Sequence, residues 1–213
     1  MSADPPVVAA FDFDGTLTVR DCVVPFLDRV AGRLGLVAGI VRQPVAFAGA
    51  VARRDRDRVK AVAVRAVFTG RDVAAVGAIG TEFAAMVAES WLRPDTTARL
   101  AWHQQQGHRV VLVSASLGAY LHTVGELLGV DAVLCTDTVV GPDGRYTGEM
   151  AGGNCRGPEK IRRLGSWMSE IQIPEAEVWA YGDSRGDREL LAAARHQFFV
   201  KDVEIAPTPQ GVS

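Results

Sequence analysis

The chain has 213 residues, 48% of them hydrophobic, with a formal net charge of −2. That length and apolar content suffice for one domain with a sizeable insertion, and the charge balance gives no reason to expect the clustered basic face that nucleic-acid binding needs. The start, Met-Ser-Ala-Asp-Pro-Pro, lacks the basic opening and cleavage pattern of a secretory signal, so a cytoplasmic location is expected.

The first element is a strand over 7–12. Its apolar run, Val7 to Phe11, ends in Asp12, Phe13, Asp14, Gly15 and Thr16. An uninterrupted apolar run reads as a parallel strand buried on both faces. Ligands in open α/β sheets bind beyond the carboxyl ends of such strands, which is where Asp12 and Asp14 fall. Two carboxylates there are too costly to leave unpaired, so a cation is implied.

A helical stretch follows, about 22–92, with no strand pattern and no chemical motif of its own. Within it, 34–52 is nearly all apolar, broken only by Arg42, Gln43 and Pro44. Central charge and proline, with Gly35, Gly39 and Gly49, argue against a membrane-spanning helix and for two packed helices meeting near Pro44. The cluster from Arg53 to Lys60 reads either as a solvated, internally paired helix face or as an anion clamp.

Helix–strand alternation then resumes. A helix over 94–106, stopped by Gly107, leads to a strand over 109–114 that ends in Ser114, Ala115 and Ser116. A helix over 118–128 and a short strand over 132–135 follow. Next comes a hairpin, 138–140 with 145–149, around Gly141-Pro142-Asp143-Gly144. A Gly-rich stretch opens the helix 158–171, which carries Lys160. A strand over 177–182 ends in Asp183, with Asp187 four residues on and opening a helix to 194. A strand over 197–200 closes the series, and the tail after Asp202 is expected to fray. The predicted fold is α/β: a doubly wound, mainly parallel Rossmann-like sheet with an inserted all-helical cap. The core is assigned to 1–18 and 94–213, and the cap to 19–93.

Cys22, Cys135 and Cys155 are odd in number and widely spaced, which fits reduced thiols, and Cys155 reads as structural. The four histidines show no zinc-ligand spacing.

In order along the chain, the Asp12/Asp14 pair, Ser114, Lys160 and the Asp183/Asp187 pair resemble the four signature motifs of the haloacid dehalogenase superfamily. The whole is similar to its helical-cap subfamily, which includes phosphoserine phosphatase. That resemblance implies a phosphomonoester hydrolase in which Asp12 is the nucleophile, forming an aspartyl-phosphate, and Asp14 is the general acid and base. The second carboxylate at position 14 disfavours carbon–halogen cleavage. It further implies Mg²⁺ held by the Asp12 and Asp183 carboxylates and the Asp14 carbonyl, with Asp187 one layer further out. Ser114 and Lys160 would hold the phosphoryl oxygens, helped by the backbone at Ala115.

Asp21 stands where phosphoserine phosphatases carry a glutamate for the substrate amine. Gly186 replaces an asparagine, and Ala115 a glycine. These departures point to a small phosphorylated metabolite that is phosphoserine-like or an amino-alcohol phosphate, rather than strictly phosphoserine. Two alternatives remain: a phosphatase for lysophospholipid-like phosphates, motivated by 34–52, and a non-catalytic phosphate-binding regulatory protein. Intact Asp12, Asp14, Ser114, Lys160 and Asp183 argue against the last.

Overall fold

The structure is a computed structural model and describes residues 5–41, 44–53 and 55–209. Its elements are β1 (Val7–Phe11), then α1 (Val23–Ala31), α2 (Arg33–Val41), α3 (Pro44–Ala52), α4 (Arg56–Phe68), α5 (Val73–Ser90) and α6 (Pro94–Gln105). There follow β2 (Arg109–Leu117), α7 (Gly118–Leu128), β3 (Ala132–Thr136), the hairpin β4 (Thr138–Val140) and β5 (Tyr146–Met150), α8 (Pro158–Glu170), β6 (Glu177–Gly182), α9 (Arg188–Ala193) and β7 (His196–Phe199).

Five strands form one parallel sheet in the order β3-β2-β1-β6-β7, and β4 pairs with β5 in a separate antiparallel ribbon. β1 is central, with Phe11 in register with Leu112 on one side and Tyr181 on the other. Its side chains alternate between two cores. Ala9 and Phe11 join Leu100, Tyr120, Leu121 and Phe83, whereas Val8 and Ala10 join Leu164, Met168, Leu190 and Leu191. Helices therefore cover both faces, which is why the strand shows no polar alternation. Phe11 stacks on Tyr181 at 4.2 Å between ring centroids, and Tyr181 on Phe198 at 4.7 Å.

Helices α1 to α5 add no strand to the sheet. The chain leaves and re-enters it at one place, where Val19 N donates to Trp91 O at 2.8 Å and Arg93 N to Leu17 O at 2.8 Å. The predicted break near Pro44 falls at residues 42–43, which lie outside the described residues; helix is described up to Val41 and again from Pro44. Neither α2 nor α3, nine residues each, is long enough to cross a bilayer. Among the described residues α5 alone is long and apolar enough to do so. It is docked on α7 instead: a Cβ at Gly80 would lie 1.9 Å from the Ala119 carbonyl.

The expected fraying of the tail is overturned for residues 203–209; residues 210–213 lie outside the described residues. Arg93 donates to Val200 O and Val203 O, each at 2.9 Å, and buried Arg99 donates to Ala206 O at 2.5 Å and Pro207 O at 3.0 Å. The tail carries no apolar periodicity, so only the two arginines on another part of the chain reveal that it is held.

Candidate active site

Parallel strands place all their carboxyl ends at one edge, and a cavity of about 500 Å³ opens there. It is lined by Asp12, Asp14, Ser114, Ala115, Lys160, Asp183 and Asp187, together with Asp21 at its rim. All eight sequence-predicted residues thus converge, although they span 12 to 187 in the chain.

Asp12 follows β1 directly and is buried. Lys160 Nζ donates to Asp12 Oδ1 at 2.6 Å and to Asp187 Oδ1 at 2.5 Å, with both partners buried. Lys160 arrives because Gly157, at φ 59°, and Pro158 at the first helical position start α8 beneath the strand ends. Burial alone would lower the Lys160 pKa, but the Asp12 and Asp187 carboxylates outweigh it and raise it. Burial pushes Asp12 upward against the pull of Lys160.

Asp14 faces a different set of donors. Its Oδ1 accepts from Cys22 N at 2.8 Å and its Oδ2 from Ser116 Oγ at 2.5 Å. Burial, then the nearby Asp21 carboxylate, push it up to about 7, while the Ser116 hydroxyl opposes the shift. Ser116 was not singled out as a site residue. It lies beyond the predicted end of its strand, because β2 continues to Leu117 through an irregularity after Val113. Ser116 N donates to Ser114 Oγ at 3.1 Å, which fixes the Ser114 hydroxyl at the cavity.

Asp183 is the acid without a partner. Its Oδ1 is buried and unpaired among the described residues, and burial followed by the Asp12 and Asp187 carboxylates pushes it up to about 6. Asp12, Asp183 and Asp187 each offer an oxygen within 4.8 Å of the others. An unpaired carboxylate oxygen beside two more carboxylates, with one lysine between them, fits a hard divalent cation. Gly15 leaves the space, because a Cβ there would lie 2.4 Å from Asp183 Oδ2. Asp187 also accepts from Ser184 N and Oγ, at 3.0 and 2.7 Å, which fixes its carboxylate.

The opposite wall comes from the helices. Lys60 on α4 donates to Ala115 O and, at 2.9 Å, to Asn154 Oδ1; Asn154 Nδ2 donates to Asp57 Oδ1 at 2.7 Å. Of the 53–60 cluster, Arg56, Asp57 and Lys60 line the cavity, whereas exposed Arg58 pairs with Asp55 at 3.1 Å. Arg58 therefore fits the solvated, internally paired reading, and Arg56 and Lys60 face the cavity, where an anion clamp would have to act. Val23, Val24, Leu27, Val59 and Ala63 make the wall partly apolar. Asn154 escaped the sequence reading because a lone asparagine in a Gly-rich stretch carries no pattern.

Asp21 accepts from Val23 N at 3.0 Å and Val24 N at 3.3 Å, so it also ties down the first turn of α1. Cys155 is buried, donates to Leu134 O at 3.3 Å and is pushed up to about 11 by burial, as suits a structural thiol. Away from the cavity His122 and Asp137 pair at 2.9 Å, with Cys135 Sγ 3.6 Å from each. That grouping has metal-ligand spacing, which the sequence hid because His122 comes from α7 and the others from the end of β3.

Comparison with known proteins agrees with the geometry. Protein CicA of Caulobacter vibrioides is 38% identical over 190 residues, covering 89% of this chain and 83% of its own. A Bordetella pertussis protein of unknown function superimposes with a TM-score of 0.75 at 24% identity, over 89% of this chain and 87% of that one. A probable phosphoserine phosphatase from Vibrio cholerae shares the fold with a TM-score of 0.63 at 16% identity, over 89% of this chain and 54% of that one. The profile of haloacid dehalogenase-like hydrolases matches residues 9–192, from β1 and its two aspartates through the Asp183/Asp187 pair to α9. With its motif residues gathered at one edge of a parallel sheet, the chain belongs to the haloacid dehalogenase-like hydrolase family.

Proposed function

We propose that the protein is a Mg²⁺-dependent phosphomonoester hydrolase acting through an aspartyl-phosphate at Asp12. The observation that carries this reading is the pairing of buried Asp12 with Lys160 at 2.6 Å, beside an Asp183 oxygen that has no partner among the described residues. A phosphoryl group needs a nucleophile, an acid for the leaving oxygen, and cationic and N–H partners for its equatorial oxygens.

An Asp12 carboxylate oxygen attacks phosphorus, forming the acyl-phosphate as the bond to the leaving oxygen breaks. Asp14, whose pKa burial and the Asp21 carboxylate raise to about 7, gives its proton to that oxygen. Ser116 and Cys22 N keep the Asp14 carboxyl in place. The resulting carboxylate takes a proton from water, whose oxygen then attacks the acyl-phosphate and frees Asp12 and inorganic phosphate. Lys160 and the Ser114 hydroxyl bind phosphoryl oxygens. Mg²⁺, when bound by Asp12, Asp183 and the Asp14 carbonyl with Asp187 behind them, neutralises phosphate charge that the acidic cluster otherwise repels. At an effective dielectric near 20, two unit charges about 4 Å apart repel by about 4 kcal/mol.

The division into a core of 1–18 and 94–213 and a cap of 19–93 belongs to the same proposal. The paired connectors at Val19–Trp91 and Leu17–Arg93 support it. The cap supplies Asp21 and Lys60, opposite charges on one cavity, which favours a small zwitterionic phosphomonoester. The apolar wall formed by Val23, Val24, Leu27, Val59 and Ala63 favours a second reading, a lysophospholipid-like phosphate. Metal-dependent hydrolysis of p-nitrophenyl phosphate tests the reaction. A panel of phosphorylated amino acids and amino alcohols against lysophospholipid phosphates decides the substrate, and no turnover of any member would leave only the non-catalytic alternative.

A further inference from the structure

We propose that the tip of the helical segment, formed by α2 and α3, docks on an anionic lipid surface. The outward face of α2 is apolar at helical spacing: Leu34, Val37, Ala38 and Val41 are all exposed, Leu34 at 87% and Val41 at 66%. On α3 the exposed positions Pro44, Ala48, Val51 and Ala52 continue the pattern. A surface helix of a soluble domain carries its polar residues on that side, and α2 after Arg33 carries none. Between Leu34 and Val41 there is no charged side chain at all.

Positive charge is concentrated in the stretch of sequence that holds α2 and α3, although Arg56 and Lys60 of that stretch line the cavity. Residues 28–60 hold eight lysines and arginines against three aspartates, a net of +5 in a chain whose total is −2. Arg33 opens α2 and Arg53 follows α3, both exposed, with exposed Arg29, Arg56 and Arg58 nearby in sequence. An exposed apolar face flanked by cations can enter the acyl boundary while its arginines stay at the headgroups. A second copy of the chain is the poorer occupant, since two such faces would bring the exposed Arg33 and Arg53 against like charge. Anionic headgroups neutralise the same charge. As described, α2 and α3 span nine residues each, short of the length that crossing a bilayer needs. Helix α1 packs on α2 and carries Val24, which is exposed at 61% and lines the cavity, so docking would bring the cavity mouth towards the lipid. The docking does not depend on the reaction proposed above.

The test is co-sedimentation of the full chain with vesicles of phosphatidylcholine alone or mixed equally with phosphatidylglycerol. Wild type is expected to pellet with the mixed vesicles and to be released by high salt. The triple variant Leu34→Ser, Val37→Ser, Val41→Ser should lower the partition coefficient at least about tenfold, since three apolar side chains no longer leave water. None of the three lines the cavity, so its circular dichroism and its turnover of p-nitrophenyl phosphate should match wild type. Arg33→Glu with Arg53→Glu should abolish the preference for phosphatidylglycerol. Wild type that stays in the supernatant, or a triple variant that pellets equally, overturns the proposal. So does a concentration-dependent dimer in sedimentation velocity that the triple variant dissolves and vesicles do not compete with.

Discussion

Lys60 Nζ donates to Asn154 Oδ1 at 2.9 Å, joining a helix of the inserted segment to the Gly-rich loop before α8. Burial pulls the Lys60 pKa from 10.5 down to about 8, with Asp14 opposing the shift. The fold therefore disfavours the charged form, and at pH 7 the cost of burying that charge is fully present. It is relieved only as pH rises from about 8 towards 10.5. Lys60→Met is expected to stabilise the protein by about 1–3 kcal/mol at pH 7, offset in part by the lost hydrogen bonds. The same variant should raise KM for a phosphomonoester with a second anionic group, and wild type should show that rise above pH 8. A lower denaturation midpoint with unchanged KM would mean that Lys60 is only a structural link.

Asp12→Asn should leave the circular dichroism unchanged and abolish turnover, because an amide cannot attack phosphorus. Beryllofluoride, which mimics a phosphorylated aspartate, should inhibit wild type and not bind the variant in that way. Residual turnover above a few per cent, once deamidation is excluded by mass spectrometry, refutes the nucleophile.

Chelation should remove activity and Mg²⁺ should restore it. Asp183→Ala should raise the Mg²⁺ requirement sharply or abolish activity, since it deletes the one buried carboxylate oxygen in the cavity without a partner among the described residues. Ca²⁺ is expected to bind and support little turnover, because its looser coordination misplaces the nucleophile. Full turnover in excess EDTA contradicts the metal site.

Asp21 combines two roles, so the informative substitution is Asp21→Asn, which retains a side-chain oxygen for the N–H groups of Val23 and Val24. A substrate ammonium paired with the carboxylate is worth about 1.5–3 kcal/mol as a charged hydrogen bond, or about 10- to 150-fold in kcat/KM. Amine-bearing phosphates should fall by that factor relative to p-nitrophenyl phosphate. Equal losses on all substrates would place Asp21 in support of Asp14, whose carboxyl it pushes up.

His103 is buried under the sheet, with Nε2 2.8 Å from the Tyr181 hydroxyl and Nδ1 2.7 Å from His108 Nδ1. Burial, then His108 and Arg99, lower its pKa from 6.5 to about 3. The folded state holds it neutral, so its contribution is fully present above pH 6.5 and is lost as pH falls towards 3. The slope is at most about 1.4 kcal/mol per pH unit for one proton. Urea midpoints measured from pH 7 to 4 should decline less steeply in His103→Gln than in wild type. Parallel declines would assign acid unfolding to the carboxylates alone.

The sequence by itself determined the alternation of strands and helices, because burial on both faces forces unbroken apolar runs such as Val7–Phe11 and loops must be punctuated by residues such as Gly107 and Gly129. It also determined Asp12, Asp14, Ser114, Lys160 and Asp183 as candidates, since each follows a strand or opens a helix at the one edge a parallel sheet offers a ligand. Only the tertiary structure decided which wall faces them. Lys60 looked like one member of a solvated charge cluster, and its place in the cavity depends on how α4 packs. Ser116 and Asn154 gained their roles from partners 102 and 94 residues away, Asp14 and Lys60. The tail was no different, held by Arg93 and Arg99 across a gap in sequence. Local pattern records what a residue's neighbours in sequence require of it. A hydrogen bond across the fold leaves no trace in that pattern, because either partner alone reads as an ordinary polar side chain.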